Sequence, residues 1–516
     1  MMAPATGRGG ADAELAHNAR GFSFGWEMDL KLWRRGLSTI AALVGIAIGG
    51  VICAAPERVE LTWMIPVGVA LAALGALAWY RGARSSAAGP RMLPSDSAWL
   101  HVDEPNNPTD IVLLMTFDES PTLEAVKATV AQRLLRFERF RQRVVEIDGH
   151  PHWETDDTFD IDNHVLSHDL KEALTTAPLA AAVAELGSGN MDPERPLWSL
   201  HLVTGTDGSG ALVLRVHHCL ADGFALAHAV AFPKRSADEP AVAPTMPSRR
   251  SSPIVRAAEL VVSMGQMLRS PFGNQIVFRG EVTGRRHMAW SCGFSLETVK
   301  GVARSHGSTL NEFLMTALSG ALRRLLVERD ELGQGRSVRA VVPANLRPVR
   351  WVEDVEDSLG NRFGFFFIDL PVEEQTVETR LRALKSRMRQ SNRLLEASVA
   401  FGFLKTLARS GGALERPLSN VFARKASVIV SNVPGPRTPV HFGEKQVRKV
   451  MFWEPHPGKL GMAVSILTYA GTIRMGARID EGIPVDPQRL VALFEAELAA
   501  ILEGARAHSD ALSAAL

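Results

Sequence analysis

Apolar positions along this chain fall into three patterns, and each predicts a different kind of element. Near the start, Leu37 to Ala55 and Leu61 to Tyr80 are uncharged throughout. Each approaches the ~20 residues that an apolar helix needs to cross a bilayer. Further on, short runs with the β-branched enrichment of buried strands occupy Ile111–Phe117, Leu197–Thr204 and Ala211–His218, the last two joined by Gly205-Thr-Asp-Gly-Ser-Gly210. Leu123–Arg136 has the spacing of an amphipathic helix opened by Ser120-Pro121-Thr122, and Phe224–Val230 reads as a short helix. The second half predicts helices at Leu296–His306, Thr309–Glu328, Val377–Leu404 and Pro487–Ala505. Its strands are expected at Val338–Pro343, Phe363–Leu370, near Ala426–Ser431 and at Met462–Tyr469. Strands mixed with helices in both halves, without an internal repeat, make this an α/β or α+β chain.

These elements suggest an order of domains. Residues 1–36 read as a disordered tail, 37–80 as a two-helix transmembrane hairpin and 91–233 as a first folded half. Residues 234–283, rich at their start in Pro, Ser and charge, read as a crossover linker, and 284–516 as a second half. In the hairpin, the short linker Pro56-Glu-Arg-Val-Glu60 is net acidic. Trp33, Trp63, Trp79 and Tyr80 fall near the ends of the spans. Lys31, Arg34 and Arg35 precede the first span, and Arg81, Arg84 and Arg91 follow the second. The positive-inside bias therefore places both outer ends, and the folded halves, in the cytoplasm. Gly45 and Gly49 would let the spans pack closely. A cleaved leader ending at Cys53-Ala-Ala55 is disfavoured by Pro56 and by the second span.

Composition narrows the possibilities. A chain of 516 residues exceeds one ordinary core. A formal net charge of +1 with 46% hydrophobic residues offers no reason to expect nucleic acid. The three cysteines, Cys53, Cys219 and Cys292, form no CxxC pair, so neither a disulfide framework nor a metal site is expected. The chain has no GxSxG elbow, HExxH, Walker A lysine motif or dinucleotide-binding glycine fingerprint.

The candidate chemistry lies at His217-His-Cys-Leu-Ala-Asp-Gly223, where a predicted strand ends and a helix begins. Imidazole is the side chain best suited to take a proton near neutral pH. Taken alone, Asp222 would be an N-cap and Gly223 a turn residue. Cys219 reads as a filler within the motif. Together the HHxxxDG pattern resembles the active-site motif of CoA-dependent acyltransferases of the chloramphenicol acetyltransferase-like fold, a two-subdomain architecture. The resemblance implies that His218 is the general base and that Asp222 holds the loop. The residues suggest that Asp222 does so through an arginine such as Arg215 and that His217 packs or hydrogen-bonds beside the site, which makes His218, His217 and Asp222 the candidate catalytic residues.

Further segments are similar to one branch of that fold, the bacterial wax ester synthase/diacylglycerol acyltransferase family. They are Leu93-Pro-Ser-Asp-Ser-Ala-Trp-Leu-His101, Asn106-Asn-Pro108, Arg195-Pro-Leu-Trp-Ser-Leu-His201, Gly284-Arg-Arg286, Asn311-Glu312 with Ala321-Leu-Arg-Arg324, Ala344-Asn-Leu-Arg347, Gly360-Asn361 and Ser431-Asn-Val-Pro-Gly-Pro436. The resemblance runs from about Arg91 to the C-terminus, outside the hairpin. Glu312 stands where the family has Asp. Gly223, Trp198, Asn311, Ser431 and Asn432 become candidate substrate-binding residues. Each also has a plainer reading: Trp198 as core packing, Asn311 as a helix cap and Ser431–Pro436 as a rigid turn.

The implied reaction moves a fatty acyl group from acyl-CoA, a co-substrate, to diacylglycerol or a long-chain alcohol, with no resident cofactor. Membrane lipid would be the further partner. Two alternatives are a carrier-protein-dependent condensation-type acyltransferase and a non-catalytic membrane-tethered lipid-binding protein. No neighbouring carrier domain supports the first, and the intact His218 and Asp222 count against the second. Acceptor choice and acyl length are set by channel shape rather than by any motif.

Overall fold

The structure is a computed structural model that describes residues 90–104, 106–231, 277–333, 337–347, 359–390, 393–408, 420 and 424–515. The expected hairpin at 37–80, the tail before it and most of the crossover segment lie outside the described residues. Among those residues, no helix is long and apolar enough to cross a membrane.

In chain order the first half comprises α1 (Pro94–His101), β1 (Asp110–Phe117), α2 (Leu123–Arg133), β2 (Gln142–Ile147), β3 (His150–Thr155), β4 (Val165–Asp169), α3 (Thr176–Leu186), β5 (Trp198–Thr204), β6 (Gly210–His217) and α4 (Gly223–Ala231). The second comprises β7 (Arg286–Trp290), β8 (Phe294–Ser295), α5 (Leu296–Ser305), α6 (Leu310–Glu328), β9 (Val338–Asn345), β10 (Phe363–Leu370), α7 (Val377–Gln390) and α8 (Arg393–Ala408). It continues with β11 (Val428–Pro434), the short pair β12 (His441–Phe442) and β13 (Lys445–Gln446), then β14 (Lys449–Trp453), β15 (Met462–Tyr469), β16 (Thr472–Asp480) and α9 (Pro487–Ala515).

Two sheets carry the fold. The first has the order β14-β1-β6-β5-β4; the second runs β10-β9-β11-β15-β16-β7, with β8 attached to β16. The continuous apolar strands of the first sheet are buried on both faces, as their lack of alternation predicts. Ile111, Leu113 and Met115 of β1 and Leu212, Leu214 and Val216 of β6 join α2 and α4 on one face. Val112, Leu114, Ala211 and Val213 pack beneath α3 on the other, with Met288, Met451 and Trp453. The second core gathers α6, the start of α9 and the inward positions of β9–β11, β15 and β16.

The strand β14 belongs to neither half alone. It lies in the stretch expected to form the second half, yet it pairs antiparallel with β1 and so completes the first sheet. Trp453 at its end packs edge-on against Trp290 of β7.

Several elements escaped the hydrophobic pattern. The hairpin β2–β3 turns at Asp148-Gly149, both with positive φ. Asp-Gly suits a type I′ turn, whose two central residues both take positive φ. The β15–β16 hairpin turns likewise at Ala470-Gly471, with φ of 46° and 76°. There the buried Arg474 and Arg478 interrupt the apolar run and disguise β16. The single helix expected over 377–404 is described as two, α7 and α8.

Helix α6 accounts for Glu312. Thr309 Oγ1 accepts from the Glu312 backbone N–H at 3.2 Å, and Glu312 Oε2 accepts from the Thr309 N–H at 2.9 Å. This reciprocal capping box is formed by Thr or Ser followed three residues later by Glu. The cap is therefore Thr309, and Asn311 does not serve as one.

Helix α8 packs on both β10 and α1. It reaches β10 at Gly364, where a Cβ would lie 1.7 Å from the Ala397 carbonyl oxygen. Both clashing groups sit on backbone, so no side chain can give way. Gly364→Ala should destabilise the protein by about 1–3 kcal/mol or more, as overpacking typically does, read as a lower urea midpoint. A parental midpoint would mean that α8 is not seated this closely.

Candidate active site

The loop 218–222 leaves the end of β6 and enters α4, and His217 through Asp222 are all buried. Burying so many polar atoms requires partners for them. The backbone N–H of His218 donates to the Thr109 carbonyl at 2.9 Å, and that of Leu220 turns back to His217 O at 3.0 Å.

The His218 ring is held from its sides and at one nitrogen. It stacks on Trp99 of α1 at 4.0 Å between centroids and lies 5.5 Å from Phe363. Its Nδ1 is 2.9 Å from Asn361 Oδ1. The orientation of that amide follows from its other atom: Asn361 Nδ2 donates to His218 O at 2.8 Å and to Asp96 Oδ1 at 3.0 Å. The oxygen therefore faces the ring, so His218 carries its proton on Nδ1 and leaves Nε2 bare. Asp96 also accepts from the Asn361 backbone at 2.8 Å and pairs with Arg139 at 2.9 Å. Burial pushes its carboxyl up, against the pull of Arg139 and Asn361.

His217 is used differently. Its Nε2 lies 2.8 Å from Asp103 Oδ2, while its Nδ1 accepts from the Cys219 N–H at 3.2 Å. Both ring nitrogens are committed to holding the loop. Burial pushes the Cys219 thiol up, which keeps it protonated and a poor nucleophile.

Asp222 caps α4: its Oδ1 accepts from the Ala225 N–H at 2.9 Å. Its Oδ2 accepts from the Arg362 N–H at 3.0 Å and forms an ion pair with Arg347. The arginine expected for this role was Arg215, and that is corrected. Arg215 shares the face of β6 with Ala211 and Val213 and pairs with the buried Asp110, its Nε 2.8 Å from Oδ2. The Asp110 carboxyl is lowered, since burial, which would raise it, is outweighed by Arg215 and other nearby cations. Arg347 reaches Asp222 from beyond the end of β9 and donates to the Gly360 carbonyl at 2.5 Å.

The remaining candidates separate. Ser431 Oγ donates to Glu454 Oε1 at 3.1 Å, and a Cβ on Gly223 would lie 3.1 Å from the same oxygen. Asn311 and Asn432 meet each other, Asn432 Nδ2 donating to Asn311 Oδ1 at 3.1 Å. Trp198 lies in the core of the first sheet. Its indole N–H is satisfied by the Phe140 carbonyl at 2.9 Å, and its ring stacks on His164 at 4.6 Å. That is the plainer packing role, away from the contacts around His218.

Asp96, Trp99, Arg347 and Asn361 belong to segments that carried the family resemblance, but nothing local in them announces a site. Asn361 is 143 positions from His218 and 265 from Asp96. Glu454 had no signal at all. It follows the apolar Val450–Trp453 and precedes a proline.

Beside Gly223 opens a small apolar cavity of about 50 Å³, walled by residues that include Ile111, Met115, Leu226, Val433 and Phe452. It joins the β1–α4 side of the first half to the Val433–Pro436 turn of the second.

The catalytic-domain profile of the wax ester synthase/diacylglycerol acyltransferase family matches residues 92–270, and that family's C-terminal-domain profile matches 359–502. The chain belongs to this family. It is accordingly an acyltransferase. A Mycobacterium tuberculosis protein bearing the name diacylglycerol O-acyltransferase is 26% identical over 422 residues, 74% of this chain and 89% of that protein. A second from the same species is 26% identical over 450 residues, 79% and 97% of the two chains. The structure of the wax ester synthase/diacylglycerol acyltransferase from Marinobacter aquaeolei superposes with a TM-score of 0.59 at 23% identity, covering 80% of this chain and 98% of that one. The first condensation domain of the calcium-dependent antibiotic synthetase shares the fold at a TM-score of 0.53 and 14% identity, covering 81% and 96%.

The Asp222–Arg347 pair generates a stability prediction for this acyltransferase. Arg347→Met should strand a buried carboxylate at a cost of about 3–5 kcal/mol, read as a lower urea midpoint. The double variant with Asp222→Asn should lose less than the sum of the two singles. A parental midpoint for Arg347→Met would mean that the backbone donors alone hold Asp222.

Proposed function

We propose that the chain transfers a fatty acyl group from acyl-CoA to diacylglycerol or a long-chain alcohol, with His218 as general base and no resident cofactor. The observation that carries this reading is the bare Nε2 of a ring whose other nitrogen is tied to Asn361. An alcohol is a weak nucleophile until its proton is removed. Nε2 takes that proton as the alcohol oxygen attacks the thioester carbonyl. The C–S bond then breaks, and the departing CoA sulfur receives the proton. No acyl-enzyme is required. The small cavity beside Gly223 supports a lipid substrate through its chemistry, because its wall is apolar apart from the Tyr469 hydroxyl and favours contact with alkyl groups. A carrier-dependent condensation reaction is supported by the shared fold alone.

His218→Ala should reduce thiol release from palmitoyl-CoA in the presence of diacylglycerol or hexadecanol by about 10²–10⁴-fold, with the fold intact by circular dichroism. His217→Ala should cost less rate and more stability, because both its nitrogens anchor the loop. Equal residual rates in the two variants would reject His218 as the base.

We further propose that residues 37–80 anchor the enzyme as a membrane hairpin with the catalytic part on the cytoplasmic side. The uncharged runs, aromatic ends and basic outer flanks support this. A chain beginning at Arg84 should keep thiol-releasing activity on detergent-dispersed substrate and lose most membrane association. A single cysteine introduced near Val59 should be labelled from outside, and one near Ser97 should not. External labelling near Ser97, or full retention of the shortened chain after a high-salt wash, would refute the anchor.

A further inference from the structure

One carboxylate faces the nitrogen that the proposed reaction uses. Glu454 Oε2 lies 3.7 Å from His218 Nε2, and both side chains are buried. The distance is too long for a hydrogen bond but short for a charge interaction. Glu454 sits immediately after β14, the strand that crosses into the first sheet, so the same pairing that completes the sheet delivers the carboxylate to the histidine.

Its position is held from several sides. Ser431 Oγ donates to Oε1 at 3.1 Å, and the Glu454 backbone N–H donates to Ser465 Oγ at 3.2 Å. Gly223 presses on Oε1, where a Cβ would come within 3.1 Å. The HHxxxDG glycine therefore leaves room for this carboxylate. A buried carboxylate is costly unless it is compensated. The Ser431 hydroxyl and the charge of Arg478 compensate it in part, and an imidazolium at His218 adds to them when it forms.

We infer that Glu454 is a positioning residue for the acyl transfer, stabilising the imidazolium that forms when His218 Nε2 takes the acceptor's proton. The inference rests on His218 being the base. Asn361 fixes the tautomer at Nδ1, and Glu454 holds the charge at Nε2. The alcohol O–H bond breaks towards Nε2, the C–O bond forms, the C–S bond breaks, and the CoA sulfur takes the proton back from Nε2. Glu454 exchanges no proton in this sequence. Its carboxylate favours the charged ring while the bonds change, and Ser431 keeps it from turning away. The other charged groups around the pair are already engaged. Asp96 reaches His218 through Asn361 and is paired with Arg139, Asp222 is paired with Arg347, and Asp103 bonds His217. On β16, Arg478 acts on Glu454 electrostatically and donates to the Asp110 carbonyl at 2.6 Å.

The test is Glu454→Gln, which keeps the shape and an oxygen for Ser431 but removes the charge. Steady-state thiol release is measured against pH with palmitoyl-CoA and a long-chain alcohol, beside the parent and His218→Ala. A carboxylate next to an imidazole favours its cation. Without it the transition state loses that support, so the plateau kcat should fall several-fold or more, short of the about 10²–10⁴-fold that removal of the base costs, with KM for both substrates within about twofold. Parental kcat, with KM unchanged or raised, would overturn the inference. If Glu454→Gln does not fold, judged by circular dichroism and melting, Glu454→Asp decides. Drawing the charge back by one methylene should lower kcat in the same direction with KM unchanged, and parental kcat would overturn the inference. His218→Ala separates the two readings. If it is inactive while Glu454→Gln behaves as the parent, only the role of Glu454 fails; if His218→Ala stays active, the base assignment itself fails.

Discussion

A loop that carries two histidines and an aspartate can be buried only if nearly all its polar atoms are matched, and that requirement shapes the centre of this protein. Backbone groups of the loop are taken up by Thr109, His217 and Asn361. Asp222 is neutralised by Arg347 and by two backbone donors. The side-chain partners Asn361 and Arg347 come from the second half of the chain, and Asp96 and Asp103 from the segment before β1. The geometry around His218 is therefore a consequence of the two halves closing on each other. Loss of any one partner strands a buried polar group, which costs more than the bond itself contributed.

The same closure explains how one motif comes to have two unlike histidines. They are adjacent in the chain, but the loop turns them into different surroundings. His217 is enclosed by Asp103 and the Cys219 backbone, so both its nitrogens are engaged in holding the loop. His218 projects between Trp99 and Phe363, with one nitrogen tied to Asn361 and the other facing Glu454. Rigid aromatic faces suit this task, because they restrain the ring without offering it a competing hydrogen bond.

The crossing strand β14 links architecture to chemistry. By pairing with β1 it closes the edge of the first sheet. Its Val450 and Phe452 supply wall to the apolar cavity, and the residue after it stands opposite His218 Nε2. The Ser431–Pro436 turn works from the neighbouring element: Ser431 steadies Glu454, while Val433, Gly435 and Pro436 line the cavity. An apolar cavity and the buried His218 ring are thus brought together by short stretches of backbone, with few side chains dedicated to each.

Local pattern determined much of this protein. The both-faces-buried strands β1, β5 and β6, the helix after the motif and the long α6 are all legible in runs and periods of apolar residues, since each needs only its neighbours in sequence to declare itself. The Asp222 cap was legible for the same reason. The family segments, too, marked Asp96, Arg347 and Asn361 as belonging together without saying what for. Tertiary structure alone decided which arginine meets Asp222. Arg215 is nearer in sequence, but strand alternation turns it to the face with Ala211 and Val213, and Arg347 arrives from beyond β9. It likewise decided that Asn311 pairs with Asn432 rather than capping α6. Glu454 shows the limit most clearly. A lone glutamate between an apolar strand and a proline carries no local signal, and only the pairing of β14 with β1, more than 300 residues apart, gives it a histidine to face.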